Sequence, residues 1–229
     1  MPDIEHELKE IFDRYSPDVR ISDRIYSAIR EAISKGLLSP GTGLRERKIA
    51  SLLNVSRTPV REAIQRLQQD GFLVSSDAKK IVVNKPGVKD IEDIYDIRIG
   101  LEGTAARLAA RRATEIDIER LEAVLKTARK NIHNLELQVQ LNSQFHNIIA
   151  ESTRNVRLRC LISLYHDLVQ TVHYTSLRYP GRVEEAITEH ELILKAIKER
   201  NENLAMENAI KHMENARRVR IKLMLESRT

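Results

Sequence analysis

The chain of 229 residues has no tryptophan, a single cysteine (Cys160), eight glycines and six prolines, and only 4% of its residues are aromatic. Each scarcity excludes something. One cysteine cannot close an intrachain disulfide, which makes a reducing cytoplasm the expected location. There is no long apolar run and no signal-peptide pattern, so membrane insertion and secretion are not expected. Few aromatics and few turn formers argue for helices over sheet. Low-complexity linkers and internal repeats are lacking too.

What is abundant is charge, with 38 Lys and Arg against 33 Asp and Glu. Its distribution is uneven. Residues 21–84 carry 11 basic against 6 acidic residues, residues 1–20 carry 3 against 6, and the remainder 24 against 21. The basic excess is densest in one segment, as expected of a nucleic-acid-binding unit. The length suits one small and one larger domain. Residues 1–20 form an arm, amphipathic through Ile4, Leu8, Ile11 and Phe12 and ended by Pro17, whose expected role is packing within its own dimer.

The run Val55-Ser56-Arg57-Thr58-Pro59-Val60-Arg61-Glu62-Ala63-Ile64-Gln65-Arg66-Leu67 reads as a DNA-contacting helix. Ser56 is an N-cap and Pro59 falls in the first turn, where no intrahelical N–H is lost. Val60, Ala63, Ile64 and Leu67 make the buried stripe, which leaves Arg57, Thr58, Arg61 and Gln65 outward. An Arg-rich outer face also suits an ordinary solvated helix; its surroundings favour the other reading. A short helix from Glu46 to Leu53 precedes it across a tight turn, as in a helix-turn-helix. Ile21, Ile25, Ile29 and Ile33 supply a first helix, and the runs 71–74 and 81–83 flank a polar tip as the two strands of a wing would.

The stretch Leu44-Arg45-Glu46-Arg47-Lys48-Ile49-Ala50 followed by Val55 to Ala63 resembles the DNA-binding domain of the GntR family of bacterial transcription regulators, over residues 21–84. The resemblance implies double-stranded DNA as partner and Arg47, Arg57, Thr58 and Arg61 as contacts, with Arg57 or Arg61 reading guanine. Gln65 also lies on that outer face. Wings of the family usually turn through a glycine, whereas this tip is Asp77-Ala78-Lys79-Lys80, so phosphate contact by Lys79 or Lys80 is expected there.

Beyond Lys85-Pro86-Gly87 the period is helical almost throughout. Six helices are expected, at 88–112, 115–132, 134–151, 155–178, 182–199 and 201–226, closing as an antiparallel bundle within a domain of residues 85–229. The fold class is therefore mainly α, a winged helix-turn-helix followed by an all-α bundle.

Polar residues interrupt three of the bundle's stripes. Asn142 and His146 lie one turn apart between Val139 and Ile149, His190 sits between Ile187 and Leu194, and His212 between Ala209 and Ala216. A lone core histidine is usually satisfied by a backbone carbonyl. Three at similar depth suit a divalent ion such as Zn or Ni, completed by one oxygen donor. Residues 88–226 also resemble the helical FCD effector domain of the FadR and VanR branches, with Phe145-His146, Glu189-His190 and His212 as its metal ligands. Metal-binding members usually carry aspartate where this chain has Asn142. Either the ion is then weakly held or absent, or a more positive pocket draws an anionic ligand more strongly.

Arg98 and Glu102 break the stripe of the first bundle helix, either as a surface or dimer-seam ion pair or with Arg98 clamping an effector carboxylate. His173 is a second candidate for the effector pocket, while His166 is expected to make a routine hydrogen bond. Glu189 and Glu191 fall on the solvent side of His190 by phase. The resulting expectation is a homodimeric regulator, a repressor acting on a palindromic operator and responding to a small organic acid. The alternatives are a metal-free bundle sensing an acyl-coenzyme A or fatty acid, and a helical metalloenzyme with a DNA-binding appendage.

Overall fold

The computed structural model describes residues 2–76, 78, 80–170 and 175–226. The chain divides into two compact units, with Gly87 beginning the second.

The first unit contains α1 (Pro2–Asp13), α2 (Ile21–Ser34), β1 (Gly43–Leu44), α3 (Glu46–Leu53), α4 (Arg57–Gln69), β2 (Leu73–Ser75) and β3 (Ile81–Val83). Its core is aliphatic: Ile25, Ile29 and Ile33 of α2 meet Val60, Ile64 and Leu67 of α4, all essentially excluded from water. Ile21, expected in the same stripe, is 45% exposed because it is the first residue of its helix and the packed face begins one turn later. Asn54 takes a left-handed conformation (φ 53°) after α3, a geometry that asparagine tolerates, and so lets α4 follow after two further residues. Strand β3 lies between β1 and β2 in an antiparallel sheet, with Leu44 opposite Ile81 and Val74 opposite Val82. The third strand, β1, has only two residues, too few to display alternation in sequence.

The N-terminal arm is a helix that folds onto its own winged unit. Leu8, Ile11 and Phe12 are buried, the Arg24 guanidinium lies 4.1 Å over the Phe12 ring, and Glu5 pairs with Lys48 at 2.7 Å.

The second unit contains α5 (Val88–Arg112), α6 (Glu115–Lys130), α7 (Leu135–Ser152), α8 (Val156–Gln170) as far as His166, α9 (Arg182–Lys198) and α10 (Glu202–Glu226). The fourth bundle helix, expected over 155–178, is described as far as Gln170, and residues 171–174 lie outside the described residues. A separate 3-10 turn occupies Ser176–Arg178, opened by the Thr175 hydroxyl accepting from the Leu177 N–H, as a capping threonine does. Helices α5 and α10 run in close contact, and Gly103 permits it, since a Cβ there would lie 2.9 Å from Ile210. The core joins Ala105, Ala106 and Ala109 of α5 to Leu121, Phe145, Ile193 and Ala205 from the other helices. No helix among the described residues is long and apolar enough to cross a membrane.

Helix α6 opens with a capping box in which Thr114 accepts from the Asp117 N–H and Asp117 accepts from Thr114. The Arg154 Nη2 donates to the same carboxylate at 2.6 Å, tying the turn after α7 to the start of α6. Burial pushes the Asp117 carboxyl up, but the Thr114 bonds and the Arg154 charge outweigh it and hold it below the usual range. A carboxyl depressed on folding stabilises the protein above its unfolded value and loses that contribution as pH falls through the folded one. Replacing Asp117 by Ala should therefore cost about 1–2 kcal/mol in a urea melt at pH 7. The difference from the parent should shrink once the pH is taken below about 4.

Candidate functional site

Two clusters of polar side chains stand out, one in each unit. In the winged unit, Arg57, Thr58, Arg61 and Gln65 lie exposed on α4, and Arg47 lies exposed on α3. Ser56 occupies the N-cap in extended conformation, yet its hydroxyl makes no capping bond. Lys80 is exposed at the base of the wing tip, where its N–H donates to the Ser76 hydroxyl and its carbonyl accepts from the Ser76 N–H. Lys79 lies outside the described residues. Arg66 stays on the structural side, stacking 4.0 Å over Tyr26 and pairing with Asp23 at 2.9 Å, which fastens α4 to α2.

Sequence reasoning missed Glu46, the first residue of α3. The crossing of α3 and α4 brings its carboxylate to Arg57 Nη2 at 3.4 Å and to both Nε and Nη2 of Arg61 at 3.4 Å. Those contacts, Arg61 first, lower its pKa. One carboxylate thus gathers two guanidiniums that are eleven and fifteen residues away in the chain. Only the tertiary crossing reveals this.

In the bundle, His146 from α7, His190 from α9 and His212 from α10 present one ligand nitrogen each within 4.8 Å of one another. All three are buried. His190 Nε2 and His212 Nε2 are 3.2 Å apart, and Phe145 stacks on the His190 ring at 4.2 Å. Two carboxylates orient the rings from behind. Glu102 on α5 lies 3.1 Å from His146 Nδ1, and Glu189 on α9 lies 2.7 Å from His212 Nδ1. With Nδ1 engaged by a carboxylate, each of these imidazoles has Nε2 left as the ring nitrogen that a metal could take, the tautomer logic of histidine metal sites.

Each carboxylate is in turn held by a buried arginine. Arg98 Nη2 donates to Glu102 at 3.3 Å and Arg182 Nη2 donates to Glu189 at 2.6 Å, while Asn215 also donates to Glu189. The Arg98–Glu102 pair is thus intrahelical, as one of its two readings has it, but it is buried rather than at the surface. Glu189 corrects another expectation: helical phase put it on the solvent side, but it reaches across to α10 and takes His212. Glu191 does face outward, pairing with Arg129 at 2.7 Å.

Electrostatics follow from burial. It lowers the His212 pKa to about 4 and that of His190 well below the ordinary value, with the neighbouring rings adding to the effect and Glu189 opposing it at His212. Burial pushes Glu102 and Glu189 up, but His146 and Arg98 around the first, and His212 and Arg182 around the second, bring both down to about 2. Three imidazoles, two of them backed by carboxylates, form a donor set that fits a divalent cation.

Asn142 stands one turn before His146 and lines, with His190, Gln138 and Leu141, a small cleft walled by aliphatic side chains. His166 makes the hydrogen bond expected of it, Nε2 to the Ser143 hydroxyl at 3.2 Å. His173 lies outside the described residues. Arg182 and Arg220, both buried, carried no sequence signal: Arg182 heads its helix and Arg220 reads as part of a solvated charge run.

A winged helix-turn-helix with a basic outer helix, followed by a helical bundle around buried histidines, defines a DNA-binding transcription regulator with a C-terminal sensing domain. Comparison with known proteins makes this specific. Residues 21–83 match the family described as bacterial regulatory proteins, gntR family, and residues 93–215 match the FCD domain; the chain belongs to the FCD-bearing branch of the gntR family. It is 30% identical to the uncharacterized HTH-type transcriptional regulator YdhC of Bacillus subtilis over 82% of this chain and 86% of that protein. It is 27% identical to the HTH-type transcriptional repressor RspR of Escherichia coli over 87% and 88% of the two chains. Escherichia coli McbR/YncC shares the fold, with a TM-score of 0.71 over 92% of this chain and 100% of the other at 24% identity. These families and relatives are transcription regulators rather than enzymes, and FCD domains often bind metals.

The carboxylate behind His146 gives a direct test. Glu102→Gln should weaken the affinity for a divalent ion by about 10–100-fold in a chelator competition, because the imidazole loses the partner that fixes its tautomer.

Proposed function

We propose that the chain is a homodimeric transcriptional repressor whose operator binding is controlled by a small organic acid bound beside a divalent metal ion. The observation that carries the sensing half is the convergence of His146, His190 and His212 from three helices, with carboxylates behind two of them. These histidines hold the metal, Zn or Ni by the nitrogen-rich donor set, and the Asn142 amide oxygen is the fourth protein donor. When bound, the ion supplies an electrophilic anchor for a carboxylate. The chain's own part is to keep Nε2 of two rings pointed inward, to exclude water with Phe145, and to offer Arg98 to the acid. His173 is assigned to the same pocket on its sequence position alone.

On the DNA side, Arg57 or Arg61 reads a guanine edge, Arg47, Thr58 and Gln65 support the reading helix, and Lys79 and Lys80 contact phosphate. In a twofold dimer the two α4 helices enter successive major grooves of a palindromic operator. The acid shifts the population between dimer arrangements that bind the operator well and badly. The coupling is reciprocal, so operator DNA weakens the acid by the factor by which the acid weakens DNA binding.

Arg61→Ala should cost about 1–3 kcal/mol in operator affinity and relax the preference at one base pair, read by binding to a randomised operator library. Lys80→Ala should weaken all sequences alike and reduce the slope of log K against log salt by about one. Unchanged operator affinity for both variants would remove this face from the DNA contact.

A further inference from the structure

We infer that Glu46 sets the DNA preference of the reading helix, by holding Arg61 along one edge of its guanidinium and leaving the other edge for a guanine. Both assignments rest on the DNA contact proposed above: Glu46 is a positioning residue, and Arg61 rather than Arg57 is the guanine reader.

Glu46 is the first residue of α3, and the N-cap before it, Arg45, makes no side-chain capping bond. At a helix N-terminus the unpaired N–H groups and the dipole favour a carboxylate, which is reason enough for an acidic residue there. That role asks nothing of α4. Yet the carboxylate turns to α4, and its side chain is 21% exposed where those of the two arginines it meets are 58% and 59% exposed.

The two arginines meet it differently. Arg61 presents Nε and Nη2 to Oε1 and Oε2, two nitrogens on two oxygens. Arg57 presents Nη2 alone. A two-point contact fixes the plane of a guanidinium as well as its position, whereas a one-point contact leaves it free to swing. Arg61 is also the larger influence holding the Glu46 carboxyl below its ordinary range, so the carboxylate is charged at neutral pH. A guanidinium carries five N–H groups in a rigid fork. With Nε and one hydrogen of Nη2 directed to Glu46, the end edge, made by Nη1 and the second hydrogen of Nη2, is left over. That edge is the donor pair that matches O6 and N7 of guanine. Each contact is 3.4 Å, longer than a strong charge-assisted bond, so Glu46 orients Arg61 without locking it.

A fixed negative charge at this place acts in opposite directions on two kinds of DNA contact. A phosphate, which any sequence offers, is repelled by Glu46 and competes with it for the same N–H groups. A guanine takes the donors that Glu46 leaves, and a guanidinium already oriented gives up less freedom in reaching it. Specificity is the difference between the two affinities, so one carboxylate raises it from both sides.

The test measures binding of the full-length parent, Glu46→Gln, Arg61→Ala and Arg57→Ala to a randomised duplex library and to the sequence that the parent selects from it. One base pair of the selected site should be preferred by about fivefold or more in the parent, and lose that preference in Arg61→Ala but not in Arg57→Ala. Glu46→Gln keeps the shape and removes the charge. It should cut the same preference by about threefold or more, raise affinity for the unselected library by about threefold, and steepen the slope of log K against log salt by up to about one. Added to Arg61→Ala, it should change the preference no further. Thermal melts confirm folding, and Glu46→Ala replaces Glu46→Gln if that variant does not fold. Relaxation by Arg57→Ala instead of Arg61→Ala, an unchanged preference in Glu46→Gln, or an equal fall in both affinities overturns the inference and leaves this face as the DNA contact. Binding unchanged in both arginine variants removes the DNA contact itself.

Discussion

Burying charge in a helical bundle is the constraint on which the C-terminal unit depends. A carboxylate removed from water must find cations and donors, or it takes up a proton instead. Glu102 and Glu189 meet this requirement by collecting an arginine on one side and an imidazole Nδ1 on the other. Removing either carboxylate would strand a buried guanidinium, an outcome that typically costs about 3–5 kcal/mol. The same contacts that satisfy the carboxylates also decide which ring nitrogen is left free. Structural necessity and site chemistry are here one set of bonds, contributed by four helices, α5, α7, α9 and α10.

A carboxylate plays a related part on the exposed face of α3 and α4, under opposite conditions. Glu46 holds Arg57 and Arg61 in the open, where water and salt weaken each contact. If Arg57 and Arg61 contact DNA as proposed, a negative charge between them lowers attraction to any phosphate backbone and narrows the rotamers from which the two guanidiniums start. Both effects favour sequence over mere charge in the choice of DNA. The rigid presentation comes from behind, where the aliphatic faces of α2 and α4 interlock and Arg66 pins them from the side.

The helices were legible because their stripes are regular, and the three histidines because each interrupts a stripe at its centre. The winged unit was legible through Ser56-Arg57-Thr58-Pro59 and the short strands, apart from β1, which is too brief to carry a pattern. What stayed hidden has a common cause. Glu46, Glu189 and Arg182 sit at positions that helical phase assigns to solvent or to a helix start; Glu46 and Glu189 reach a different helix through long side chains, and Arg182 reaches two turns along its own. Phase describes where a Cβ points; it does not describe where a glutamate or arginine ends. The 3-10 turn at Ser176–Arg178 stayed hidden for a related reason, since the apolar period runs on through this stretch while the Thr175 cap opens a separate element.

The proposed control of DNA binding requires that the buried histidines form one metal centre rather than a satisfied polar core. Elemental analysis of the full-length protein, purified without chelator in zinc-supplemented medium, tests it most directly when set beside the His146→Ala, His190→Ala and His212→Ala variants. One divalent ion per chain is expected in the parent, and its loss from each folded variant. A parent without stoichiometric metal, or variants that retain it, would contradict the claim.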